Sequence, residues 1–239
     1  MLSVLYSSVF FSSPQTARDL GLRDGDVIYA MMNQCGAKPV ILLYDNEMKV
    51  NEEVTTTLTL NDAMNIGATY PSPTTVDERV ATEKKYEWKC SYSSDGSDDA
   101  CALTCEGKKY EYVFWERPCN KNDVFNGEVV GIRKEHFVDE LEVLLEKLGL
   151  NERESNDFIV YWLTKLSNRK GHRVTICNEH YDNEIAKLQV KGFSQIHRVM
   201  LKFEEVIDDV VVILKQVKDV ERKQRPTGKY VIEWGAILA

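Results

Sequence analysis

The feature that most restricts this chain is a change of hydrophobic period near its middle. Phe137, Leu141, Leu144, Leu145 and Leu148 recur at i, i+4, i+7, i+8 and i+11, which places them on one face of an α-helix that Gly149 ends. Asn151 then stands three residues before Glu154, the spacing of a capping box, and Phe158, Trp162 and Leu166 continue along one helical face. The pattern predicts a central αα-hairpin, with helices near 136–149 and 152–167.

On either side of this pair the period is that of strands. Pro39 to Tyr44 is a continuous apolar run suited to a buried strand, and Val54 to Leu60 alternates as a half-buried strand does. Tyr70-Pro71-Ser72-Pro73 marks a loop, and Tyr86 to Tyr92 another strand. Ser93 to Ala100 is an exposed loop, and Tyr110 to Trp115 reads as one aromatic strand. Beyond the helices, Val174–Cys177, Ile185–Val190, His197–Phe203, Val210–Leu214 and Tyr230–Trp234 read as strands of a second sheet. Helices do not alternate with strands, so the fold class is α+β and not doubly wound.

With 239 residues and 43% apolar content the chain can build a core without staples or metal. The six cysteines, Cys35, Cys90, Cys101, Cys105, Cys119 and Cys177, are irregularly spaced and read as reduced thiols. Cys101 and Cys105 lack a CxxC or HxxxH partner, so neither a metal nor a cofactor is expected. His136, His172, His180 and His197 are scattered. The net charge of −8 is spread along the chain, and the longest basic stretch, Lys215 to Arg225, is broken by Asp219 and Glu221. That stretch reads as a solvated connector, and nucleic acid is not an expected partner. The apolar opening, Met1 to Phe11, has no positive flank or cleavage pattern and is about half as long as a bilayer requires. It reads as a strand, and the expectation is an intracellular, cytoplasmic protein without a membrane span.

Residues 16–32 order their pieces informatively. Thr16 caps a short turn, Gly21 ends it, and Asp24-Gly25 turns into a strand from Val27 to Met32. This order resembles the C-terminal half of a ubiquitin-like domain of the SUMO-related kind. The likeness reaches about Gly36, and the first hairpin and main helix of a complete β-grasp module are missing. Conjugating members end in Gly-Gly, whereas here Gln34-Cys35-Gly36-Ala37 continues. The resemblance therefore implies a partial ubiquitin-like segment, 1–36, ahead of a β-rich α+β domain, 38–239. An N-terminally incomplete gene product is a further reading of the same residues.

A second resemblance covers roughly residues 38–236. Lys38-Pro39-Val40-Ile41-Leu42-Leu43-Tyr44, Thr69-Tyr70-Pro71, Tyr110 to Glu116, Gly149 to Leu163, His197-Arg198-Val199-Met200 and Val231-Ile232-Glu233-Trp234-Gly235 stand in that order. Together they are similar to a family of uncharacterised proteins with microbial members and eukaryotic ones that carry a ubiquitin-like segment in front. Asp45, Thr164 and Gly235-Ala236 stand where that family has Pro, Pro and Gly-Gly. The resemblance implies the architecture and transfers no catalytic residue.

No nucleophile elbow, phosphate loop, dinucleotide fingerprint or metal-ligand histidine pair is present. The remaining candidates are aromatic and ionisable residues inside the motifs: Trp115, Glu116, Asn156, Asp157, Tyr161, Trp162, Arg198, Glu233 and Trp234. A charge beside a core tryptophan must be paired or solvent-facing. If Arg198 meets Glu116, Asp157 or Glu233 at the sheet–helix junction, the pair is either a structural tie or the floor of a pocket. The leading reading is a non-enzymatic interaction protein or subunit of a larger assembly, whose partner is another protein. It contacts that partner through Arg18, Arg23 and Asp24 of the front segment and through Trp115, Tyr161, Trp162, Arg198 and Trp234. The alternative is a small-molecule-binding or hydrolytic domain using Glu116, Asp157 and Glu233 in a cleft.

Overall fold

The computed structural model describes residues 38–47, 49–60, 66–77, 83–93, 100–117, 125–166 and 171–238, all within the unit Gln34–Ala239. The ubiquitin-like reading of residues 1–36, with Arg18, Arg23 and Asp24, lies outside the described residues.

Strand β1 (Val40–Asp45) is buried along its whole length. Val40, Leu42 and Tyr44 turn to one side and Ile41 and Leu43 to the other, as the two-residue period of a strand requires. Both of its faces are therefore covered. There follow β2 (Glu53–Leu60), β3 (Ala68–Tyr70), β4 (Thr75–Asp77), β5 (Lys84–Tyr92), β6 (Leu103–Cys105), β7 (Lys108–Tyr110), β8 (Val113–Glu116) and β9 (Glu128–Ile132). Helices α1 (Phe137–Lys147) and α2 (Glu152–Leu166) come next, then β10 (Gly171–Ile176) and the short α3 (Asn178–His180), extended by a wide helical turn at Tyr181–Ile185. The chain closes with β11 (Ala186–Val190), β12 (Gln195–Val206), α4 (Asp208–Ile213), β13 (Lys215–Gln216) and β14 (Lys229–Leu238).

Eight strands form the larger sheet in the order β13-β9-β10-β12-β14-β1-β8-β3, with β12/β14 and β13/β9 parallel. Six form an antiparallel sheet, β11-β2-β5-β6-β7, with β4 beside β5. The helices cover one face of the larger sheet and the smaller sheet covers the other, so the domain has three layers and two cores.

The helices follow from local chemistry. The α1 stripe of Phe137, Leu141, Leu144 and Leu145 is buried. Its end is a Schellman turn, with Gly149 N–H donating to the Glu146 carbonyl at 3.0 Å and Leu150 N–H to that of Leu145 at 3.1 Å. Gly149 has φ +91°, and a Cβ there would stand 3.0 Å from His197 Nε2. The capping box of α2 is reciprocal: Asn151 Oδ1 accepts from Glu154 N–H at 2.8 Å, and Glu154 Oε2 from Asn151 N–H at 2.8 Å.

Four expectations need correction. Tyr110 to Trp115 is two strands in different sheets, β7 pairing with β6 and β8 with β1. Tyr110 packs on the inter-sheet core and Tyr112 on the helix-side core, although a continuous strand would put both on one face. Val210–Leu214 is not a strand, because α4 occupies all of it but Leu214. Val211 is its buried residue and sits over Gly131, where a Cβ would lie 2.7 Å from the Val211 carbonyl oxygen. The late strands do not build a second sheet of their own: β10, β12 and β14 share a sheet with β1, and β11 joins β2. Finally, Cys90 and Cys105 are joined by a disulfide, since adjacent antiparallel strands hold their Cα atoms 4.4 Å apart. This takes away the cysteine ground for expecting an intracellular site, because such bonds persist in oxidising compartments. Among the described residues, no helix is long and apolar enough to cross a membrane.

Candidate functional site

The ionisable candidates divide between the two faces of the larger sheet. On the inter-sheet face, the parallel register of β12 and β14 sets Arg198 beside Glu233. Arg198 Nε lies 2.5 Å from Glu233 Oε2, and the Trp115 indole N–H donates to Glu233 Oε1 at 2.8 Å. Arg198 Nη1 also donates to Asp182 Oδ1 at 3.0 Å and to the Ala186 carbonyl. Glu233 is wholly buried, and burial pushes its carboxyl above the ordinary range against the pull of Arg198 and the Trp115 indole. The Tyr181 ring centroid is 5.7 Å from the Arg198 guanidinium, and burial raises the Tyr181 hydroxyl well above its usual value. This arrangement ties β12 and β14 of the larger sheet to the turn that leads into β11 of the smaller one. Of the three carboxylates offered as partners for Arg198, it is Glu233 that meets it.

On the helix face, Glu116, Asp157 and Tyr161 gather with Lys38 and Lys165. Lys38 Nζ is 4.3 Å and Lys165 Nζ 4.0 Å from the Tyr161 ring centroid, and Lys165 donates to the Tyr161 hydroxyl at 2.8 Å. Burial lowers Lys38 against the field of Asp157, and burial raises Glu116 against that of Lys165. Two cations thus face two carboxylates, which balances the charge locally. Among the described residues no hydrogen bond joins Glu116 to Asp157, and Glu233 lies on the other side of the sheet. The three carboxylates therefore do not share one cleft. Trp162 and Trp234 are core residues against Phe158, at ring separations of 6.2 and 5.6 Å. Trp115, equally buried, packs in the inter-sheet core.

A third cluster forms around Glu154. Arg225, expected on a solvated connector, turns inward and donates to Glu154 Oε2 at 2.6 Å, Glu154 Oε1 at 3.0 Å and the Gly149 carbonyl at 2.9 Å. The Tyr44 hydroxyl donates to Glu154 Oε1 at 2.6 Å, and Tyr44 stacks on Tyr230 with centroids 4.8 Å apart. The capping box pointed to Glu154, but nothing local to Arg225 distinguishes it from its exposed neighbours.

The buried thiols give a pH prediction. Burial pushes Cys177 up to about 12 and raises Cys101. At mildly alkaline pH, iodoacetamide is expected to leave both unmodified in the folded protein and to label both after denaturation, read by peptide mass mapping. The unfolded thiol deprotonates near 9.0 while folded Cys177 holds its proton, so the unfolded state gains above that pH. Through Cys177, stability should fall with rising pH between about 9 and 12, by about 1.4 kcal/mol per unit.

Two surface features remain. β11 is an edge strand of the smaller sheet, bordered by a groove of about 450 Å³ whose lining includes Lys187, Gln189, Lys191, Phe193 and Ile196. At α4, Val212 and Ile213 project into solvent, 69% and 81% exposed. Among the described residues no group of three His, Cys, Asp or Glu side chains comes together as cation ligands. Comparison with family models, with curated proteins and with solved structures finds no match to this chain.

Proposed function

We propose that this chain is a non-enzymatic interaction protein that serves as a subunit of a larger assembly. In this reading a partial ubiquitin-like segment precedes a β-rich docking domain stiffened by an αα-hairpin. The observation that carries it is the place of β11 at the end of the smaller sheet among the described residues, beside a groove whose exposed lysines offer a contact surface. The division of the carboxylates adds support, because Glu233 is already engaged by Arg198 and Trp115.

The test is native affinity purification of the full chain beside K187E/K191E, with K108E/K109E on the opposite edge strand as control. A stoichiometric partner should co-purify with wild type and control and drop about tenfold with K187E/K191E. A chain that emerges alone, or a partner retained equally by all three, overturns the reading.

A further inference from the structure

We infer that Lys38 is a covalent attachment site for small uncharged aldehydes, which its amine takes up reversibly as an imine. This goes beyond the docking reading and does not depend on it.

The backbone positions the amine. Lys38 and Pro39 lead into β1, and the Pro39 carbonyl accepts from Trp115 N–H at 3.2 Å. Gly235 on β14 lets this segment lie close, since a Cβ there would stand 3.0 Å from Pro39 N and 3.1 Å from the Lys38 carbonyl oxygen. From that anchored start the half-buried Lys38 side chain reaches α2, where its Nζ lies 4.3 Å from the Tyr161 ring centroid.

Lys165 Nζ lies 4.0 Å from the same centroid, so two amines share one ring and each feels the other's charge. They are not equivalent. Lys165 donates to the Tyr161 hydroxyl at 2.8 Å, whereas among the described residues no carboxylate lies within ion-pair distance of Lys38 Nζ. Burial of the stem and the neighbouring cation both favour the neutral amine, and the more distant Asp157 carboxylate favours the ammonium. Burial is the largest of the three effects, so Lys38 holds its proton less firmly than a solvated lysine does. The other titratable groups around the pair are Glu116 on β8, which faces Lys165, and Tyr112, which faces Asp157.

A desolvated lysine beside a second cation is a nucleophile at neutral pH. Its lone pair forms a C–N bond to the carbonyl carbon while the C=O π pair moves to oxygen. Both amine protons then leave with that oxygen as water, and a C=N bond remains. No oxidant or reductant is consumed, and nothing turns over. Protonated from solvent, the imine keeps a cation over Tyr161 and in the field of Asp157. Glu116 and Asp157 stand beside the two lysines, so no excess of positive charge draws an anionic aldehyde, and the ligand class is uncharged.

The probe is benzaldehyde with sodium cyanoborohydride, added in limiting amount to the full chain at neutral pH. The hydride reduces the C=N bond to a stable benzylamine that peptide mass mapping locates. Lys38 is expected to be labelled about threefold or more faster than the exposed Lys108 and Lys134. Asp157→Asn should speed this labelling and Lys165→Met should slow it, each by about twofold or more, with the fold checked by circular dichroism. Opposite responses are the signature of a tuned amine, because one that reacts through exposure alone has no reason to show them. In urea the preference should vanish. Should either variant fail to fold, the rate–pH profile of wild type decides: Lys38 labelling should level off at lower pH in the folded chain than in urea. The inference is overturned if Lys38 reacts no faster than Lys108 and Lys134, if the two substitutions leave its rate unchanged or shift it the same way, if the preference persists in urea, or if the folded and urea profiles coincide.

Discussion

Replacing Arg198 by alanine is expected to destabilise the protein by about 3–5 kcal/mol, because it leaves the fully buried Glu233 carboxylate with a single indole donor. That is a large part of the roughly 5–15 kcal/mol that holds a domain together. The loss should depend on pH in a definite direction. Without the guanidinium, burial raises the folded carboxyl further above its unfolded value near 4.5. Folding then favours the protonated acid, so the variant should lose least below about pH 5 and more as pH rises through the raised value. Replacing both partners, Arg198→Met with Glu233→Leu, should recover much of the loss, since the desolvation cost disappears together with the attraction. Urea unfolding of the two single variants and the double variant at two pH values measures all of this. An Arg198→Ala loss below about 1 kcal/mol would mean that water reaches the pair.

Glu154→Ala should cost about 3–4 kcal/mol, because one carboxylate serves three structures. It closes the capping box with Asn151, receives the Tyr44 hydroxyl from β1, and anchors Arg225 on the approach to β14. Helix capping by itself contributes about 1 kcal/mol, so a loss confined to that size would show that Arg225 and Tyr44 add nothing measurable. Glu154→Gln keeps an acceptor for Asn151 and Tyr44 and removes the charge, and should retain roughly half of the stability difference. Hydrogen exchange supplies a second readout. The Lys223 amide, which donates to the Lys147 carbonyl at 2.7 Å, should exchange faster in Glu154→Ala, whereas amides of the smaller sheet should change little.

Much of this architecture is legible in the sequence, and the legible part is local. The positions of α1 and α2 are written in residues at most four apart, and Gly149 and the Asn151–Glu154 pair end one helix and start the next through their own backbone chemistry. Strands β1, β2 and β5 were legible for the same reason, as a run of buried apolar residues or a two-residue alternation. The run Val210–Leu214 misled because β-branched residues suit a strand, and a short apolar segment carries too few periods to separate strand from helix. What settled it was Gly131 on β9, whose missing side chain lets the α4 backbone approach closely.

The candidate site divides in the same way. That Arg198 had to be either paired or solvent-facing followed from its place beside apolar residues, because an uncompensated buried charge is too costly. Which anion met it did not follow, since the choice among Glu116, Asp157 and Glu233 depends on strand order and on the face each strand turns inward. By itself, then, the sequence determined the two helices with their caps, the buried strands and the demand that a charge among core residues be paired or solvated, all set by chemistry within a few residues. Only the tertiary structure decided the interleaving of the late strands with β1, the change of sheet between β7 and β8, the Cys90–Cys105 bridge, the inward turn of Arg225 and the pairing of β11 with β2. Each of these joins or exposes residues through pairing with distant segments, and pairing at that range is fixed by the packing of the whole domain rather than by any pattern along the chain.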